Sequence, residues 1–189
     1  ALKTQTFSSG TRPGNIGIGL NAGLAITTGI NNTITGTFAG DVLTDADDNT
    51  VYGSAALSSD TLGSRSVAIG SLALQYANQT TATLSYNTAV GYNTGNAVST
   101  GIRNTLIGAQ AGVGLTTGGS NVALGYEALK NEDAHGLNTA IGTQALFSLN
   151  AGADAYNTAV GYQAGAAVSI GVHNTFVGGL AGDATDDGT

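Results

Sequence analysis

The sequence predicts an all-β protein, a parallel β-solenoid of about ten coils. Three observations support this prediction: a glycine recurs about every 17 residues along most of the 189-residue chain, an asparagine precedes nearly every such glycine by four residues, and Val, Ile and Thr are plentiful while no apolar stripe with helical spacing occurs. A fixed period of this kind is typical of solenoids, in which each coil packs only against its neighbours.

The anchor of each coil is the glycine that closes segments such as "NTAVG". The predicted anchors are Gly19, Gly36, Gly53, Gly70, Gly91, Gly108, Gly125, Gly142, Gly161 and Gly178. The coils therefore form one repeat domain over residues 15–189, preceded by an N-terminal segment of residues 1–14. The missing initiator Met and the abrupt ending "GDATDDGT" lead us to expect a piece of a longer protein.

The asparagine four residues before the anchor marks a predicted corner of the coil. Asparagine tolerates left-handed backbone, and its side chain satisfies backbone amides at turns. Ser66 is the only substitute in this column, which otherwise consists of Asn15, Asn32, Asn49, Asn87, Asn104, Asn121, Asn138, Asn157 and Asn174.

The residues between corner and glycine form a short strand that is apolar on both faces. The residue directly before each glycine, for example Ile18 or Ile107, is predicted to point into the coil. The residue before that one faces the opposite way because side chains alternate along a strand. Its column contains Ile34, Leu106 and Phe176, and a second apolar face requires a cover. We therefore expect these three residues at a subunit interface with another copy of the chain.

The residues after each anchor follow a pattern that repeats every four coils, so the repeating unit is a block of four coils. Small residues, mostly alanine, follow the anchor by three positions and suit a cramped interior. The segments "GLAITTGINN", "GNAVSTGIRN" and "GAAVSIGVHN" are interpreted as a second strand whose core residues are Ile26, Val98 and Val168. Extra residues enter only in the fourth coil of a block, in "QYANQTTATLSY" and "FSLNAGADAY", and predict loops suited to contacts.

The motifs "NTAVGYQAG", "SVAIGSLAL" and "NTAIGTQAL" resemble the YadA-like head repeat of trimeric autotransporter adhesins, which is similar to repeats of phage tail-fibre proteins. The resemblance implies a left-handed parallel β-roll, assembled as an intertwined homotrimer outside a cell, on a cell surface or a virion fibre. The 17-residue coils are longer than those of the adhesin heads. Hexapeptide left-handed β-helices are a rival, but their subperiod is absent.

Composition disfavours several functional classes. The net charge is −7, and the five Lys and Arg residues are scattered, so no basic stripe predicts nucleic-acid binding. No apolar run reaches the roughly 18 residues of a membrane span. The chain has no cysteine, which excludes disulfides and thiolate zinc sites.

Catalytic residues and cofactors are not predicted. His135 and His173 each lie near a coil corner, and no cysteine is present, so the sequence supplies few of the residues that a catalytic constellation requires. Tyr92, Tyr126 and Tyr162 follow the anchor glycine and are candidate receptor contacts, because tyrosine buries a large area at little entropic cost. Packing along the coil edge or between subunits is the favoured interpretation of these tyrosines.

An acidic segment, "DVLTDADDN", provides the weak metal candidates Asp41, Asp45, Asp47 and Asp48. Closely spaced carboxylates suit calcium, which prefers hard oxygen ligands. The segment lacks the spacing of an EF-hand and of calcium-binding roll repeats. A solvated acidic turn is the favoured interpretation.

The functional hypothesis is a non-enzymatic structural and adhesive segment of a trimeric extracellular fibre, a phage tail fibre or a surface adhesin. Its partners are other copies of the chain and a glycan or protein receptor on a host surface. The alternatives are a polysaccharide-processing enzyme and an ice-binding protein. The ice-binding alternative rests on a column of threonines, for which we favour a structural hydrogen-bonding role instead. The column consists of Thr33, Thr50, Thr88, Thr105, Thr139, Thr158 and Thr175.

Overall fold

A computed structural model of the chain describes residues 1–3 and 13–184. These residues form twelve short strands and no helix, and so none that could span a membrane. The strands are β1 (Ile16–Ile18), β2 (Thr33–Thr35), β3 (Thr50–Tyr52), β4 (Gly63–Ser64), β5 (Val67–Ile69), β6 (Thr83–Leu84), β7 (Thr88–Val90), β8 (Thr105–Ile107), β9 (Val122–Leu124), β10 (Thr139–Ile141), β11 (Thr158–Val160) and β12 (Thr175–Val177). The N-terminal segment and the last coil lie partly outside the described residues.

Ten of the strands, one per coil, form a single parallel sheet in chain order, and β4 pairs with β6 beside it. Equivalent residues pair in register, as in Thr33 with Thr50 and Leu106 with Ala123. The predicted parallel β-solenoid of 17-residue coils is therefore confirmed. At about 4.8 Å per rung, ten coils give a rod roughly 48 Å long. The hand of the winding and the homotrimer stay predictions.

The predicted second strand is wrong as a strand, although its core residues are placed correctly. Ile26, Val98 and Val168 are fully buried. The chain around them turns tightly, because the N–H groups of Ile26 and Val98 donate to the carbonyls of Gly23 and Gly95, three residues earlier. A backbone bonded to itself in this way cannot extend as a strand.

The assignment of the two strand faces was also wrong. Ile34 and Leu106 are fully buried inside the coil of a single chain, and Phe176 packs against the same core. The column predicted to be inside points outward instead, with Ile18 60% exposed and Val177 71% exposed. Ile34, Leu106 and Phe176 are therefore core residues and are not available to a partner.

The recurrence of these three large residues follows from the volume inside the rod. A Cβ added to Gly95 would lie 2.6 Å from Leu106, and one added to Gly112 would lie 2.9 Å from it. Leu106 thus occupies the space that two glycines leave open. Ile34 does the same beside Gly23 and Gly40, and Phe176 beside Gly165 and Gly182. In the other coils Leu57, Leu74, Leu129 and Leu146 take the glycine positions, and the strand residue is Val or Ala.

The anchor glycines allow the coils to stack closely. Gly108 has φ +127°, and a Cβ there would lie 2.5 Å from the carbonyl oxygen of Gly125 in the next coil. A side chain would therefore strain the backbone and separate the rungs. The alanine column that follows is buried, as predicted.

The asparagine column forms a buried ladder at the corner. The Oδ1 atom of Asn104 accepts the backbone N–H of Asn121, one coil later, at 3.0 Å. Its Nδ2 atom donates to the carbonyl of Gly118, fourteen residues ahead, at 2.9 Å. The same pair of bonds recurs at Asn32 and Asn157. Each amide thus closes its own coil and fixes the next one.

Replacing Asn104 with Ala should lower the free energy of unfolding by about 2–4 kcal/mol, because it leaves a buried N–H and a buried carbonyl without partners. Chemical denaturation measures this loss. The control is Asn131→Ala, an exposed position in the next coil, where a change within about 0.5 kcal/mol is expected. Equal losses for the two variants would contradict a specific role for the ladder.

Candidate functional site

The outward face of the ten-stranded sheet presents a regular surface along the rod. Two parallel columns project from it, one directly after the corner asparagine and one directly before the anchor glycine. From Ile69 to Val177 the second column is apolar and partly exposed, with Ile107, Leu124 and Val177 among its most accessible side chains. Nearer the N-terminus Thr35 and Tyr52 interrupt it. An exposed apolar stripe of this length marks an interaction surface.

The threonine column lies on this outward face. Thr33, Thr50 and Thr105 are exposed, and Thr88 and Thr139 are partly exposed. None of their hydroxyls takes part in a hydrogen bond within residues 13–184, whereas the hydroxyls of other threonines do, for example Thr44 to the carbonyl of Thr61. The expected structural hydrogen-bonding role of this column is therefore not observed.

The three candidate receptor tyrosines lie along one edge of the rod. Tyr92, Tyr126 and Tyr162 are each at least half exposed and occur in every second coil, with Ala109 and Thr143 between them. Their accessibility fits a contact role, which stays a prediction.

The four aspartates of the acidic segment have separate surroundings. Asp45 accepts a hydrogen bond from the Thr28 hydroxyl, and Asp47 accepts one from the N–H of Ile30, so both brace the preceding coil. Asp48 lies 3.5 Å from Arg65. Asp41 is separate, and burial raises its pKa. Among the described residues, these carboxylates form no group of three with converging oxygens.

Two buried acids that the sequence reading missed occupy equivalent positions in the third coil of each block. The Oδ1 atom of Asp60 accepts the N–H groups of Gly63, three residues ahead, and of Gln79, in the next coil, at 3.1 and 2.9 Å. One block later the carboxylate of Glu132 accepts the corresponding N–H groups, of His135 and Ala151, both at 3.2 Å.

Burial raises the pKa of both Asp60 and Glu132, and the backbone N–H groups oppose this effect only in part. Their column otherwise holds residues such as Ile26, Val98 and Leu115. The sequence signal that could have revealed these two buried acids is a carboxylate in a column that is otherwise apolar. Each acid lies directly before a coil with an insertion, and the acceptors hold the backbone of that insertion in place.

The two histidines have different surroundings. The ring of His173 stacks on Tyr156, with centroids 5.2 Å apart and an angle of 8° between the planes. The Nδ1 atom of His135 lies 3.6 Å from Oε1 of Glu132 and is buried without a hydrogen-bond partner among the described residues. One carboxylate oxygen of Asp133, one of Glu132 and one ring nitrogen of His135 lie within 4.8 Å of one another.

The two inserted segments are exposed at residues 80–82 and 152–154, as predicted for loops. No pocket is present in residues 1–3 or 13–184. Comparisons with protein-family models, with curated proteins and with solved structures gave no match.

Replacing Asp60 with Asn should reduce the pH dependence of stability. Burial raises the pKa of Asp60 above its ordinary value of 3.8, so the folded state binds this proton more tightly than the unfolded state. The wild-type free energy of unfolding therefore falls as the pH rises through the folded pKa. The variant should lack this part of the fall when denaturation is measured at a series of pH values.

The matched variant Asp60→Ala should lose about 2–4 kcal/mol at every pH, because two buried N–H groups then lack an acceptor. Superimposable pH profiles of wild type and Asp60→Asn would show that the carboxyl proton does not contribute.

Proposed function

We propose that this chain is a structural and adhesive segment of a trimeric extracellular fibre, either a phage tail fibre or a surface adhesin. The observation that carries the proposal is the outward apolar column of the ten-stranded sheet. Three copies that face each other through this column would cover it and form a stiff rod. The exposed tyrosines and inserted loops would then face a host glycan or protein receptor.

The packing of a single coil supports this arrangement. The interior is already filled by alanines and by large residues such as Leu106 that occupy the space beside glycines. The exposed side chains of Leu124 and Val177 therefore cannot be covered by rearrangement within the chain. A second copy presents the same column at the same spacing of about 4.8 Å per rung, so its contacts repeat in every coil.

Adhesion by such a rod depends on multivalency. Three chains display each loop and each tyrosine three times, and linked weak contacts become strong in combination. The low proportion of charged residues, 9%, and the absence of cysteine suit an exposed, chemically resistant rod. A polysaccharide-processing enzyme remains the alternative hypothesis, and incubation with host glycans followed by a search for shortened products tests it.

Ice binding is a second candidate, favoured by the regularly spaced threonine hydroxyls that project from the outward face of the sheet without hydrogen-bond partners among the described residues. It requires the outward face to be free of other subunits. A monomer in sedimentation that also shows thermal hysteresis would favour ice binding over the fibre.

Sedimentation of the purified chain tests the trimer. The wild type should sediment with the mass of three chains, and Leu124→Asp should sediment as a folded single chain, because it places a charge on the outward column. Leu137→Asp, an equally sized change at a coil corner, should remain trimeric. Leu106→Asp should unfold the coil, because it buries an unpaired charge. A monomeric wild type would overturn the proposal.

A further inference from the structure

The corner at His135 carries an imidazole that the equivalent corner at Gly63 lacks, although a buried acid holds the inserted segment at both corners. Glu132 and Asp60 make equivalent bonds to the backbone, but the residue three positions after Asp60 is Gly63, whereas that after Glu132 is His135. The imidazole is therefore not needed to hold the inserted segment. Its ring nitrogen nevertheless points toward the Glu132 carboxylate, at 3.6 Å.

The Nδ1 atom of His135 is buried and has no hydrogen-bond partner among the described residues. A buried polar atom without a partner is costly, unless something that the protein binds satisfies it. The side chain as a whole is 28% exposed, and Asp133 beside it is exposed, so solutes reach the group.

The three side chains offer ligand atoms at a suitable spacing. One oxygen of Glu132, one of Asp133 and one ring nitrogen of His135 all lie within 4.8 Å of one another. Ligands about 2.0–2.2 Å from a tetrahedral ion lie roughly 3.4 Å apart, close to the 3.6 Å between Nδ1 and Oε1. An imidazole with two carboxylates suits a first-row transition ion better than calcium.

We propose that Glu132, Asp133 and His135 bind one divalent transition-metal ion of the Zn²⁺ type. The backbone N–H groups of His135 and Ala151 fix the Glu132 carboxylate in position, as outer-shell donors do at metal sites. Three protein ligands leave a coordination position for water. The site is independent of the fibre proposal, since all of its ligands come from one chain.

Titration calorimetry with ZnCl₂ in a non-chelating buffer tests the site on the full chain, with the His135 imidazole signals followed by NMR. The wild type should bind one Zn²⁺ per chain, and the His135 signals should shift. His135→Ala should weaken binding by at least about 10- to 100-fold, the range for losing an outer-shell partner alone. Asp133→Thr, which restores the residue found at the equivalent position 61, should also weaken it.

The control is His173→Ala, because the chain has only two histidines and His173 stacks on Tyr156 away from the acids. It should bind Zn²⁺ as the wild type does. Thermal unfolding without metal checks that each variant is folded. Gly63, at the position equivalent to His135, shows that a small residue fits this corner. Wild-type affinity in folded His135→Ala, or a wild type that binds no Zn²⁺, overturns the proposal. The second result would leave a histidine beside a buried glutamate without a bound ion.

Discussion

Hydrogen bonds between equivalent positions of successive coils hold this rod together. The side chains of the buried asparagines supply those hydrogen bonds that the backbone alone cannot form. At the corner the chain turns away from the sheet, so its amides lose the regular partners of a strand. Asn104 replaces them with one acceptor toward the next coil and one donor across its own coil. Only an amide provides both at this length, since Ser66 in the same column has a hydroxyl alone. The ladder thereby fixes both the coil length and the register.

The sequence was sufficient to predict the solenoid, its period and its corners, because each depends on one residue type at a fixed spacing. Alternation along a strand shows which residues share a face, but not which face lies inside when both are apolar. The small volume inside the coil decides which of the two apolar faces is buried. A narrow interior requires a column of small residues with large ones only beside glycine pairs, as at Leu106 between Gly95 and Gly112. The outward column tolerates Thr35 and Tyr52 because solvent imposes no such limit.

The candidate sites were predicted less well for a related reason. The aspartates at positions 45, 47 and 48 are conspicuous in the sequence because they are close together, yet each one braces a separate group of a neighbouring coil or strand. The two acids with unusual surroundings, Asp60 and Glu132, stand as single residues in apolar columns. One of the two backbone N–H groups that each acid accepts lies in the next coil, so the local sequence does not reveal this hydrogen bond.

The insertions explain why the interior contains these acids. Nine residues after the anchor, regular coils place an exposed residue, such as Asp45 or Thr117, whose N–H group can bond to water. In the two longer coils the added residues fold this position inward, and Gln79 and Ala151 are buried. Each buried N–H then requires an acceptor, and the carboxylate of the coil below provides one. The acid is costly to bury, which its raised pKa reflects, but an unsatisfied N–H in the core would be costly as well. The buried acids in the interior therefore determine which coils of this rod carry an inserted segment.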